Sequence, residues 1–152
     1  MGILNQFDVI DSFNQLIPGA AGHSDSYLRE VAKATQDQGL PVEMNLENNS
    51  DGLFAAMRGQ GARRFLVVQP LDRKARGLRM MHYGFPVGTN LTAGWLLTGT
   101  TGSLKLFDYL DLTAVIESVH GLAVAPALYS VADSTGFARE EIRKYQSGFF
   151  GV

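Results

Sequence analysis

The chain has 152 residues, a length that fits one domain and suffices to bury a self-sufficient core. It contains no cysteine, which excludes a disulfide scaffold, a thiolate metal site, a cysteine nucleophile and dithiol redox chemistry. The formal net charge of −2 excludes a globally basic nucleic-acid binder, and no apolar run reaches the ~18 residues of a membrane span, so we expect a soluble cytoplasmic protein.

The first predicted element is an amphipathic helix over residues 3–17. Its apolar residues recur at steps of three and four along the chain: Ile3, Leu4, Phe7, Ile10 and Ile17. Pro18 and the small residues up to Gly22 end this helix and form a hinge. We therefore divide the chain into an N-terminal helix with its hinge, residues 1–22, and a single α+β domain, residues 23–152.

A second helix is predicted over residues 24–38, with Ser24 or Asp25 as its cap. Its apolar stripe consists of Tyr27, Leu28, Val31 and Thr35. After this helix the hydrophobic period changes to alternation, which is typical of strands. The predicted strands are 42–47, 53–57, 64–69, 78–85 and 91–97. Because short turns join them, we expect an antiparallel meander.

The helical period returns towards the C-terminus and predicts a long helix over residues 108–132, capped by Asp108 or Asp111. Pro126 should kink or interrupt this helix, because proline lacks a backbone donor and clashes with the preceding turn. A short helix is expected over residues 137–145. The sequence thus predicts an α+β fold: an antiparallel sheet of about four to six strands, with helices before and after it packed on one face.

The charges are strongly segregated along the chain. Residues 1–57 carry eight acids and two bases, whereas residues 58–79 carry seven bases and one acid. One interpretation is that these bases pair with the acidic N-terminal third or solvate a face of the fold. The other is an anionic-ligand or nucleic-acid site. Its candidate residues are Arg63, Arg64, Arg73, Lys74 and Arg76.

The sequence carries few residues suited to catalysis or metal binding. The three histidines, His23, His82 and His120, lack the spacing of a metal motif. Residues 23–25 have the residue types of a catalytic triad, but adjacent side chains diverge, and this position suits a helix cap. We therefore predict no catalytic residue, no metal ligand and no cofactor. A site assembled around His82 and His120 remains the enzymatic alternative.

The leading hypothesis for the function is a non-enzymatic protein interaction or assembly module. Apolar residues at both ends of the chain are the expected contacts: Ile3, Leu4, Phe7, Ile10, Phe149 and Phe150. The expected partner is another protein or a second copy of the chain, giving a homo-oligomer. A membrane partner is not expected, because residues 1–17 hold two aspartates and no base.

Overall fold

The computed structural model describes residues 8–49, 63–71, 78–99 and 106–145. The elements in chain order are β1 (Asp8–Ile17), a 3-10 turn (Ala21–His23), α1 (Ser24–Asp37), β2 (Val42–Asn49), β3 (Arg63–Pro70), β4 (Arg79–Val87), β5 (Asn90–Gly99), α2 (Leu106–Val119), a π-helical segment (His120–Val124), α3 (Ala125–Thr135) and a 3-10 turn (Arg139–Glu141). The strands form one antiparallel sheet in the order β1-β5-β4-β3-β2. The predicted α+β fold is therefore confirmed.

Strand β1 replaces the first predicted helix, so the helix prediction is wrong for residues 8–17. The strand pairs with β5 from Asp8 opposite Gly99 to Ile17 opposite Leu91. Buried side chains alternate with exposed ones along it: Phe13, Gln15 and Ile17 against Ser12, Asn14 and Leu16. The apolar residues at 10, 13 and 17 have helical spacing, and only 13 and 17 alternate as a strand requires. An irregularity in the pairing between Val9 and Asp11 accompanies the inward position of Ile10, and pairing with β5 selects the strand.

Helix α1 confirms the second predicted helix, and all four residues of its predicted stripe are buried. Its predicted cap is wrong: His23 occupies the N-cap position and no side chain caps the helix. The 3-10 turn immediately before α1 brings the chain into helical geometry.

The C-terminal helical stretch differs from its prediction at both ends. Helix α2 begins at Leu106, so Asp108 and Asp111 lie inside the helix and cannot cap it. The predicted interruption at Pro126 is confirmed, because α3 starts anew with that proline in its first turn. The backbone N–H of Ala125 bonds to the carbonyl of His120, and this π-type bond makes room for the proline ring.

Beyond α3 the predicted helix over 137–145 is wrong, since only the 3-10 turn Arg139–Glu141 forms there. Gly136 ends α3 in the left-handed conformation, at a φ of 76°. Ile142 is buried in the core, and the Arg143 N–H bonds to the Gln15 side chain of β1. Ile142 is extended, and these contacts hold the residues that follow it against the sheet.

The main core lies between the sheet and the helices, and β1 contributes Phe13 and Ile17 to it. A second buried cluster lies on the opposite face of the sheet and contains Phe65, Val67, Met81 and Tyr83. The stretch Thr113–Thr135 has the length and mean hydropathy, 1.4, of a membrane span, and 44% of it is buried inside the protein.

Candidate functional site

Two of the three histidines meet in the core between the sheet and the π-helical segment. His82 on β4 lies directly opposite Trp95 on β5. The indole Nε1 of Trp95 donates a 3.1 Å hydrogen bond to Nδ1 of His120, which belongs to the π-helical segment. The Phe13 ring packs edge-on against His120 at 4.5 Å between centroids. We call these four residues the histidine cluster.

Burial holds both histidines of the cluster in the neutral state at ordinary pH. Desolvation, with the neighbouring His120, lowers the pKa of His82 to about 3. Desolvation lowers the pKa of His120 to about 4. A neutral imidazole accepts with one nitrogen and donates with the other, so the bond from Trp95 places the His120 proton on Nε2.

Some polar groups of this core have no hydrogen-bond partner within the described part of the chain. Both ring nitrogens of His82 are in this state, as is the hydroxyl of Tyr27 on α1. Burial raises the pKa of that hydroxyl, so it too stays neutral. An unsatisfied buried polar atom costs about 1–3 kcal/mol, so His82 is held in place by its neighbours at a cost in stability.

Tyr145 links the histidine cluster to a carboxylate at the β1 edge of the sheet. Its ring lies 5.1 Å from the rings of both Trp95 and His120. Its hydroxyl donates a 2.6 Å hydrogen bond to Oδ2 of Asp11. Among the described residues, no three His, Asp or Glu side chains are grouped to hold a metal ion.

The C-terminal segment, residues 142–145, also lines an open cleft against β1. The cleft has a volume of about 350 Å³ and is lined by Ser12, Phe13, Asn14, Arg143, Lys144 and Tyr145. The Arg143 backbone N–H donates to Oε1 of Gln15, and its guanidinium donates to the carbonyl of Asn14. Two cationic side chains thus lie beside the outer edge of β1.

Strand β2 forms the opposite end of the sheet. Its odd-numbered residues Glu43 and Asn45 are exposed, while Val42 and Met44 are half-buried against the core. Leu46 continues the apolar side of the strand but is 61% exposed. An apolar slot of about 20 Å³ lies next to Val42 on the same side of the sheet, with Val68, Met80 and Val115 among its lining residues.

The predicted binding residues fall mostly outside the described residues. Of the partner-binding set, Ile10 is half-buried against the core; the rest, Ile3, Leu4, Phe7, Phe149 and Phe150, lie outside. Of the anion-binding set, Arg64 is exposed on β3 and Arg63 begins that strand, while Arg73, Lys74 and Arg76 lie outside.

Another base of the same segment, Arg79, pairs with Glu47, as the internal-pairing interpretation expects for that residue. The contacts of Trp95, Tyr145 and Leu46 were not predictable from their positions in the sequence. The alternation of Val42, Met44 and Leu46 was visible, but its position at a sheet edge was not.

No family model matches the chain, and comparison with curated proteins and with solved structures gives no match.

Proposed function

We propose that this chain is a non-enzymatic assembly module that forms a homo-oligomer through an edge of its sheet. The observation that supports the proposal is strand β2, the last strand of the described sheet, with an apolar side chain, Leu46, 61% exposed. An edge strand offers backbone donors and acceptors in a row, and a second strand can satisfy them by pairing.

The two ends of the sheet are not equivalent. At the β1 end, Arg143 bonds to Gln15 and Asn14, and Tyr145 bonds to Asp11. The C-terminal segment therefore already occupies part of that edge. Strand β2 is the end at which the described residues leave room for another strand, which favours β2 as the assembly edge.

The chemistry of the histidine cluster favours a binding function over a catalytic one. His82 is 0% exposed and His120 is 7% exposed, so little of either residue is open to a substrate that a catalytic base has to reach. With pKa values of about 3 and about 4, both are weak bases at neutral pH. The two histidines lie close together, as the enzymatic alternative requires. Among the described contacts, however, no carboxylate orients either ring.

The test is the absolute mass of the full chain, measured by light scattering after size exclusion over a series of protein concentrations. We expect a mass above the 16.5 kDa of one chain, increasing with concentration. Circular dichroism at each concentration checks that the fold is unchanged. A constant mass of 16.5 kDa up to near-millimolar protein would contradict assembly.

The cleft beside β1 favours a second candidate function, the binding of a small anionic ligand. Arg143 and Lys144 line it together with the polar side chains of Ser12 and Asn14. Titration calorimetry with inorganic phosphate should then show binding that weakens with added salt. The double variant Arg143→Gln, Lys144→Gln should lose it, whereas Lys33→Gln on the exposed side of α1 should retain it. Equal affinity in all three proteins would remove this candidate.

A further inference from the structure

We infer that the assembly is a two-fold dimer in which β2 pairs antiparallel with β2 of a second copy, centred on Met44. The inference rests on the proposed assembly function and specifies its interface. Three observations carry it: the direction of the backbone groups of β2, the charges along the strand, and the exposure of Leu46 on the same side of the strand as Val42.

The ladder between β2 and β3 shows which backbone groups of β2 point outward. The N–H of Leu71 bonds to the carbonyl of Pro41, so residue 41 faces β3. Along an antiparallel strand, the backbone groups of successive residues point alternately to one side and to the other. Glu43 and Asn45, like residue 41, therefore bond to β3. Met44 and Leu46 therefore direct their N–H and C=O groups away from the sheet. A partner strand has to pair with these even-numbered residues.

The charges on β2 select among the registers that two copies can adopt. Pairing centred on Asn45 sets Glu43 opposite Glu47 of the second copy, so that two carboxylates share the Arg79 cation that pairs with Glu47, and the two-fold axis repeats this arrangement. Pairing centred on Leu46 sets the apolar Met44 opposite Asn48. Pairing centred on Met44 sets Glu43 opposite Asn45, a neutral amide. This register avoids both unfavourable pairs.

The same register pairs an exposed apolar side chain with another apolar side chain across the two strands. With Met44 opposite itself, Leu46 of the second copy lies opposite Val42, on the helix-facing side of the sheet. Val42 lines the slot together with Val68, Met80 and Val115. Each Leu46, 61% exposed in one chain, is thus covered by the other chain, and the symmetry supplies this contact twice.

The pairing involves only a few residues from each chain, so the buried area lies at the small end for specific interfaces. A dimer of this size is expected to dissociate in the micromolar range, and its mass in solution should depend on concentration. The described strands of the two chains, five from each, would form one continuous antiparallel sheet across the axis.

The experiment compares the concentration of half-dissociation of the full chain with that of two single variants, by light scattering. Leu46→Lys should raise that concentration about tenfold or more, because a charged side chain would replace the apolar contact with Val42 of the other chain. Leu122→Lys is the matched control, since Leu122 is also 61% exposed but lies on the π-helical segment, away from β2. It should dissociate as the unmodified chain does.

A variant that strengthens the dimer excludes a mere folding defect. Asn45→Lys places a cation opposite Glu43 of the second copy and should lower the half-dissociation concentration about threefold or more at low salt. An oligomer that is equally stable in Leu46→Lys and Asn45→Lys would overturn the β2 interface and leave the assembly function standing. A chain that stays at 16.5 kDa at every concentration would overturn both.

Discussion

His82 is a fully buried side chain whose neighbours are those of an apolar residue. Across the sheet it lies opposite Leu66 on one side and Trp95 on the other. Neither of its nitrogens has a hydrogen-bond partner among the described residues. His120 differs, because its Nδ1 accepts the indole N–H of Trp95. The two histidines should therefore contribute to stability with opposite sign.

Replacement by leucine separates these contributions. His82→Leu removes two unsatisfied polar atoms at similar volume and should raise the free energy of unfolding by about 1 kcal/mol. His120→Leu leaves the buried Trp95 N–H without its acceptor and should lower it by about 1–3 kcal/mol. Urea unfolding followed by circular dichroism measures both. A loss of stability in His82→Leu equal to that in His120→Leu would mean that the His82 ring has a polar partner.

The low pKa values of the two histidines predict acid destabilisation. Burial lowers the pKa from 6.5 to about 3 for His82 and to about 4 for His120. As the pH falls below about 6.5, the unfolded chain binds protons that the folded chain does not, so the free energy of unfolding falls. Each histidine adds a slope approaching ~1.4 kcal/mol per pH unit, and the loss slows as the folded pKa is reached.

Urea unfolding from about pH 7.5 to about pH 4.5 tests this slope. Carboxylates also titrate at the acid end, so the informative quantity is the difference between variants. Below the pKa of the unfolded chain, His82→Leu should reduce the slope of the unfolding free energy against pH by about 1.4 kcal/mol per pH unit, the equivalent of one proton. If the unfolding free energies of the unmodified chain and the variant changed with pH in parallel, His82 would bind its proton as readily in the folded chain as in the unfolded chain.

At the scale of the element, the pairing of β1 with β5 depends on one glycine. Gly94 lies opposite Asn14 on β1 and opposite Tyr83 on β4. A Cβ at Gly94 would overlap the carbonyl oxygen of Phe13. Because Gly94 has no side chain, the Tyr83 hydroxyl reaches across β5 and donates a 2.8 Å hydrogen bond to Oδ1 of Asn14.

Gly94→Ala should therefore destabilise the protein by about 3 kcal/mol or more, because backbone atoms of β1 must move. Gly121→Ala is the control: its Cβ would meet nothing within 4 Å, and alanine favours the helix. That variant should gain about 0.5–1 kcal/mol. Thermal unfolding followed by circular dichroism compares them. Equal melting temperatures would show that β1 is not held at this position.

The elements also show how far the sequence determines the fold. Helix α1 and strands β3 to β5 were predictable because their periods are unambiguous and turn residues bound them. The apolar residues at 10, 13 and 17 have helical spacing, and only the pairing with β5, more than seventy residues later and with an irregularity next to Ile10, decides for a strand. The histidine cluster was beyond prediction for the same reason. His82 and His120 are brought together by tertiary packing, and the one-residue shift of the π-helical segment sets the position of His120.

For the molecule as a whole, the C-terminal segment closes the fold onto its first described strand. The Arg143 N–H bonds to Gln15 over 128 residues, and the Tyr145 hydroxyl bonds to Asp11 over 134 residues. Contacts of this sequence separation close long loops, which costs chain entropy. The C-terminal segment is held on β1 by few side-chain bonds, so its local release from β1 should be cheap.

Tyr145→Phe tests this closure. The variant keeps the ring packed on Trp95 and His120 but removes the hydrogen bond to the Asp11 carboxylate. A half-buried bond to a charged group contributes about 1–2 kcal/mol, so the free energy of unfolding should fall by that amount. Hydrogen exchange should speed up most in β1. Tyr129→Phe is the control, because the Tyr129 ring, against which Arg139 packs, is kept in that variant. Unchanged exchange in β1 of Tyr145→Phe would mean that packing alone closes this edge.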